Sequence, residues 1–334
     1  AAARPDTPTP RLQTLLPALT GDGSGRADCS AFVDIQNLGQ VPAKAIVLLW
    51  RAVITDSGDC QGPSRVECSP LLAPGASWLL PQPALAGAGS AVVFGVEGVM
   101  DGSALVSELG ISIDDTAADL LCETLKFGVV GDCEKYSRFK AAWDGKGTFA
   151  GLQLDKLNGV PLGIRVERDC ASSGPRVPSG RRERSAYTGL DAAQLAGWDE
   201  AAGAHVSTVP ILYANKAGIN TRLWLQNAGI AAAQVEVWLQ AQNDCTGSRR
   251  CTTLSVYPGA VGSVDPYIDC HLVDWQGSAW LRSTAPIAVV AETDGRGVRM
   301  AAAAPMHQPP LGADPSALTA DTVLFGPVIQ ADQR

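Results

Sequence analysis

The same phrase occurs twice in this chain, 190 residues apart, counting from Gln36 to Gln226. Residues 35–47 read IQNLGQVPAKAIV and residues 225–237 read LQNAGIAAAQVEV. They share Gln36/Gln226, Asn37/Asn227, Gly39/Gly229, Ala43/Ala233 and Val47/Val237 in register. In each copy an alternating apolar run leads into Asn-x-Gly, and a second alternating run follows. Asn and Gly adopt positive φ at little cost, so each copy reads as strand, turn, strand. A repeat at this spacing constrains the architecture more than any other feature. It predicts an all-β chain of two duplicated β-domains.

The chain's 334 residues suffice for two domains with separate cores. The 46% apolar and 18% charged composition suits a folded protein, and 35 glycines with 22 prolines suit short strands joined by turns. A net charge of −8 argues against a nucleic-acid partner. No apolar run is long enough for a membrane span. The opening AAARPDTPTP reads as what remains after a signal peptide is cut at a small-residue site; an expression scar is the alternative.

Taken in order, residues 1–12 read as an extended arm and 13–170 as the first sandwich. Within it, Leu15-Leu16-Pro17-Ala18-Leu19 is a strand whose Pro suits a sheet edge, and Ala45–Val53 is apolar enough for a strand covered on both faces. The duplication lapses over about 97–146, where Asp119–Lys126 and Glu134–Ala142 read as helices of an insertion. Ser, Gly and Pro followed by an Arg-rich run make 171–202 the linker, and 203–304 is the second sandwich, with Val209-Pro210-Ile211-Leu212 matching Leu16–Leu19. In 305–334 a connector leads to Val323-Leu324-Phe325-Gly326-Pro327-Val328-Ile329, a third copy of the opening strand with no domain after it. Such a strand either returns to its own domain or adds to a neighbour's sheet edge, head to tail.

Nine cysteines bear on the compartment. Cys60 and Cys68 follow the first repeat, and Cys245 and Cys251 the second, each pair preceding a Pro-Gly turn (Pro74-Gly75, Pro258-Gly259). Two local disulfides, Cys60–Cys68 and Cys245–Cys251, are expected, with Cys122–Cys133 as a third. Zinc is the rival, but no clustered CxxC pair is present. Disulfides favour an extracytoplasmic location. Cys29, Cys170 and Cys270 are left without assigned partners.

The sequence carries no catalytic or cofactor motif. His205, His271 and His307 are isolated, and there is no HExxH, GxSxG, phosphate loop or GxGxxG. Asp22 and Asp28 lack the acidic spacing of a calcium loop, and Asp114/Asp115 read as helix-start residues rather than an acid–base pair. No catalytic, cofactor or metal residue is assigned, and no enzyme is expected. The tryptophans stand out instead. With Leu223 and Leu225 inward, parity sends Trp224 outward beside Arg222. With Val235, Val237 and Leu239 inward, Trp238 faces outward beside Glu236. The first repeat has Asp34 and Leu48 at these places, so the duplicated fold does not demand Trp there. Coverage by the linker or inserted helices, a subunit interface and a sugar-stacking platform are the three readings.

The order of motifs, with the phrases QNLGQVPA, QNAGIAAA, PGA and GSAWLRSTAPIAVVAE, resembles tandem immunoglobulin-like modules of secreted surface proteins, and is similar to uncharacterised extracellular proteins of filamentous Chloroflexota. The resemblance covers about 13–96 and 147–304 and implies sandwiches at the cell surface, without catalytic residues. The expected function is a structural subunit of an extracellular filament, fimbria or surface layer. Val323, Leu324, Phe325, Val328 and Ile329 form the donor strand, Leu16 and Leu19 mark the homologous edge, and Trp224 and Trp238 are lateral contacts. The alternative is a monomeric module binding surface glycans or protein.

Overall fold

The computed structural model describes residues 12–19, 29–51, 60–81, 85, 88–98, 117–145, 147–171, 182–195, 197–242, 248–295 and 298–303. The first strands are β1 (Thr14–Leu16), β2 (Cys29–Asn37), β3 (Ala43–Arg51), β4 (Arg65–Cys68), β5 (Ser77–Leu79) and β6 (Ala88–Glu97). Helices α1 (Ala117–Gly128) and α2 (Cys133–Gly145) follow, then a small hairpin of β7 (Thr148–Phe149) and β8 (Leu152–Gln153). Next come β9 (Leu162–Ala171), β10 (Arg182–Thr188), β11 (Leu190–Asp191), β12 (Trp198–Asp199), β13 (Ala204–Ala214) and β14 (Asn220–Asn227). The last are β15 (Ala233–Ala241), β16 (Arg249–Val256), β17 (Val261–Val264), helix α3 (Pro266–Asp269), β18 (Trp275–Ser283), β19 (Ile287–Gly295) and β20 (Val298–Ala303).

The chain is all-β in character, with antiparallel sheets packed as sandwich layers. Sheet A has the order β11-β1-β6-β3-β4 and packs on sheet B, β10-β9-β2-β5. Sheet C has the order β12-β13-β18-β15-β16 and packs on sheet D, β17-β14-β19-β20. The order β1-β6-β3-β4 over β10-β9-β2-β5 recurs as β13-β18-β15-β16 over β20-β19-β14-β17; the outermost strands β11 and β12 come from different places in the chain.

The repeated Asn-x-Gly is a hydrogen-bonded clamp, and its glycine is needed for space. Asn37 Nδ2 donates to Val41 O (2.8 Å) and Leu72 O (2.9 Å), while its Oδ1 accepts from Gly39 N (2.8 Å). Asn227 does the same with Ala231 O (2.8 Å), Val256 O (2.7 Å) and Gly229 N (2.7 Å). The expected positive φ is absent at all four residues. A Cβ on Gly39 would instead collide with Val160, and one on Gly229 would sit 2.9 Å from the Ala285 Cβ. Positive φ belongs to Gly75 (77°) and Gly259 (75°) in the Pro-Gly turns.

Three expectations about the first sandwich are corrected. Within 171–202, the stretch expected to be a linker, the described residues from 182 onward carry β10, β11 and β12. Beyond its Arg-rich start it alternates small or polar residues with Tyr187 and Leu190, which turn into the core. Strand β1 is no open edge, because β6 flanks it on one side and β11 on the other. Leu16 and Leu19 are fully buried, which removes them as assembly contacts. The Pro ends β1 at Leu16, and the matching Pro210 falls in a bulge of β13 between Val209 and Leu212.

The disulfides are also re-paired. Cys60 bonds Cys133, Cys68 bonds Cys122, and Cys251 bonds Cys270, so the local pairs Cys60–Cys68 and Cys122–Cys133 are not formed and Cys251 does not pair with Cys245. Cys245 lies outside the described residues. The cause is that α1 and α2 fold back over sheet A, which brings both inserted cysteines to the segment around β4. In backbone register, Cys29 stands opposite Cys170.

The folded-back helices explain the unbroken apolar run of β3. Trp50 meets Tyr136 edge-on at 4.8 Å, and Phe94 meets Phe139 and Trp143 at 5.4 and 5.1 Å. Each such pair adds about 0.5–1.5 kcal/mol beyond its buried area. Lys44 pairs with Asp119 at the rim, and Lys140 pairs with Asp144 on the buried side of α2. Burial pushes the Lys140 amine below its usual range, against the pull of Asp144.

The two sandwiches share sheet D. On β19, Ile287 and Val289 enter the second core, while Ala288 and Val290 enter the first; on β14, Leu223 and Leu225 enter the second, and Trp224 the first. Gln226 Nε2 donates to Gly259 O (2.9 Å) and, across the boundary, to Ala91 O (3.0 Å). The Gly259 turn lies under the Trp50 ring, where a Cβ would collide, whereas Gly75 has open space around it. Gly75→Ala is therefore expected to cost only backbone strain, about 1–2 kcal/mol. Gly259→Ala adds overpacking of about 1–3 kcal/mol. Urea unfolding of both variants checks this; equal losses would contradict the seating of Trp50 on this turn.

Candidate ligand-binding face on sheet C

Strand β15 alternates strictly. Val235, Val237 and Leu239 are buried in the second core, which leaves Glu236, Trp238 and Gln240 on the outer face. Strand β18 alternates in the same sense, with Ala279, Leu281 and Ser283 buried and Ser278, Trp280 and Arg282 outward. Register places Trp238 opposite Trp280 and Glu236 opposite Arg282. From the other neighbour, β16, Arg250 stands opposite Trp238.

The two indoles stack, with ring centroids 5.0 Å apart and planes 8° from parallel. Both are half-buried, so the pair stands on the sheet with ring surface open to solvent. Trp238 Nε1 donates to Glu236 Oε2 at 3.2 Å. Arg250 and Arg282 approach the same carboxylate at 3.5 and 3.8 Å, and Arg282 Nη2 also donates to Ala202 O at 2.6 Å. The resulting surface is an aromatic pair ringed by fixed charges and amide or hydroxyl groups. Its described residues form no nucleophile–base pair. Among the described residues there is also no group of three or more His, Cys, Asp or Glu that could hold a metal.

Offset and register identify the equivalent face of the first sandwich. Ile46, Leu48 and Trp50 of β3 and Val92 and Phe94 of β6 stand where Glu236, Trp238, Gln240, Trp280 and Arg282 stand in the second. In the first sandwich this face is roofed by the disulfide-held helices. In the second, among the described residues, no helix covers it, and polar residues surround its aromatics.

Of the sequence-derived candidates, Trp238 is therefore on an open surface, whereas Trp224 is not. Trp224 does leave its own sandwich as parity requires, but it is only 3% exposed because the first sandwich covers it. There its Nε1 donates to Glu292 Oε2 (3.3 Å) and its ring lies 5.5 Å from the Arg168 guanidinium. Val323, Leu324, Phe325, Val328 and Ile329 fall outside the described residues, as do 1–11 and His307. Trp280 was missed by sequence reasoning, although the alternation Ala279-Trp280-Leu281 marks it as outward in the same way as Trp238.

No family model and no curated protein matches the chain. Among solved structures, one described as the Anabaena sensory rhodopsin transducer matches 29% of this chain and 93% of its own length, with 14% identity and a TM-score of 0.21. At that TM-score the likeness carries no argument about either fold or activity.

Proposed function

We propose that this chain is a secreted, non-catalytic binding protein made of two tandem immunoglobulin-like sandwiches from one duplication, with the Trp238–Trp280 face as its saccharide-binding surface. The observation that carries the reading is the contrast between equivalent faces. One is apolar and roofed by helices. The other keeps two stacked tryptophans half-open among hydrogen-bonding groups. A contiguous apolar patch rimmed by polar residues marks a binding surface. An indole offers a flat apolar face to the C–H side of a sugar ring, and the surrounding amides and guanidiniums suit its hydroxyls. Disulfides in both sandwiches fit an oxidising compartment. Among the described residues no helix is long and apolar enough to cross a membrane.

Trp238→Ala and Trp280→Ala are each expected to reduce retention on a glycan array by roughly tenfold or more, with circular dichroism unchanged. Retention equal to that of the unaltered protein in both variants would sink this surface as the binding site.

Assembly into a filament by strand addition is the second reading, favoured by the apolar run Val323–Ile329 near the C-terminus. It would need an acceptor edge other than β1. It also cannot reuse the contact between the two sandwiches, because the counterpart of sheet D's outer face is charged. Asp34 opposite Arg165 stands where Trp224 opposite Val290 stands in the second sandwich. Under this reading, deleting 320–334 is expected to convert fibres into folded monomers in electron micrographs; fibres that persist would rule the donor strand out.

A further inference from the structure

We infer that the saccharide taken by the Trp238–Trp280 face is acidic, a uronate-bearing oligomer or polymer. This rests on the saccharide reading above and adds the charge class. Two guanidiniums, those of Arg250 and Arg282, converge on the single carboxylate of Glu236 at 3.5 and 3.8 Å. At Glu236 two cations face one anion beside the indoles, on a chain whose net charge is −8. The separations are longer than those of a tight charge-assisted bond, and Glu236 also accepts from Trp238 Nε1. Each guanidinium has five N–H donors, more than these contacts use. A ligand carboxylate bridging the two arginines would bind them through planar, paired N–H bonds while the sugar ring rests on the indoles.

The charges are specific to the second sandwich. By register, the places of Glu236, Arg282 and Arg250 are held in the first by Ile46, Phe94 and Val66. Nothing in the shared fold calls for two arginines there. A neutral sugar would need only the hydroxyl and amide groups already present in Ser278 and Gln240.

The test uses the full chain and immobilised polygalacturonate, alginate and hyaluronate, each beside its carboxyl-reduced form. At least one acidic polymer is expected to be bound roughly tenfold more tightly than its reduced form. That preference falls toward parity in Arg250→Gln and Arg282→Gln. It widens in Glu236→Gln, whose amide oxygen still accepts the Trp238 N–H. A gain of affinity cannot come from unfolding, so this last variant keeps the test independent of fold damage. Equal binding of acidic and reduced forms, both lost in Trp238→Ala, would overturn the acidic preference and leave the saccharide surface standing. Absence of binding to any form would overturn both.

Discussion

Glu292→Ala is expected to destabilise the protein by about 3–5 kcal/mol, the cost of leaving a buried charge without its partner. Glu292 projects from the outer side of sheet D into the first sandwich, where it pairs with Arg168 and receives the Trp224 N–H; Ser185 Oγ lies 3.5 Å away. Arg168 and Glu292 are 1% and 4% exposed, so water does not replace the lost partner. Arg168 Nε is already committed to Leu19 O at 3.0 Å, which fixes the guanidinium in place. The paired substitution Arg168→Met with Glu292→Leu removes both charges and is expected to recover most of the loss. Guanidinium chloride unfolding of the single and paired variants measures this. A single-variant cost below about 1 kcal/mol, the range of exposed pairs, would mean that the node is wet and the sandwiches are not sealed together.

Asn227→Ala is expected to cost about 3 kcal/mol, and Asn37→Ala about the same, since each leaves three backbone groups without the side chain that held them at about 1 kcal/mol apiece. Both asparagines are fully buried, and their partners occupy matching positions on either side of the turn. Asn227→Asp is expected to be worse than Ala, because a carboxylate oxygen would then face the Ala231 and Val256 carbonyls that now accept from Nδ2. Thermal melts of the three variants would decide it. Unequal losses at the two alanine sites would show that the two clamps are not equivalent in energy.

The clamp shows where the sequence was legible and where it was not. The repeated Asn-x-Gly located two equivalent strand–turn–strand units correctly, because spacing and alternation are local properties. Its physical reason was misjudged: the glycine makes room for Val160 in one copy and Ala285 in the other, residues far along the chain. The same limit applies to the cysteines. Loop proximity suggested Cys60–Cys68, but only the return of α1 and α2 over sheet A brings Cys122 and Cys133 into reach. Trp224 and Trp238 looked alike by parity, and parity was right about both. Whether an outward residue meets solvent or another sandwich depends on how sheet D is shared. The apolar run Ile287-Ala288-Val289-Val290-Ala291 carried that signal, since a strand apolar at both parities has two covered faces. The continuous run in β3 carried the same signal for the helical roof.

The most direct test of the binding surface is hydrogen–deuterium exchange of the full chain, alone and with the acidic polysaccharide it retains best. Slower exchange confined to Ala233–Ala241, Arg249–Val256 and Trp275–Ser283 is the expected result. Protection elsewhere with those three strands unchanged would contradict the placement of the site on sheet C.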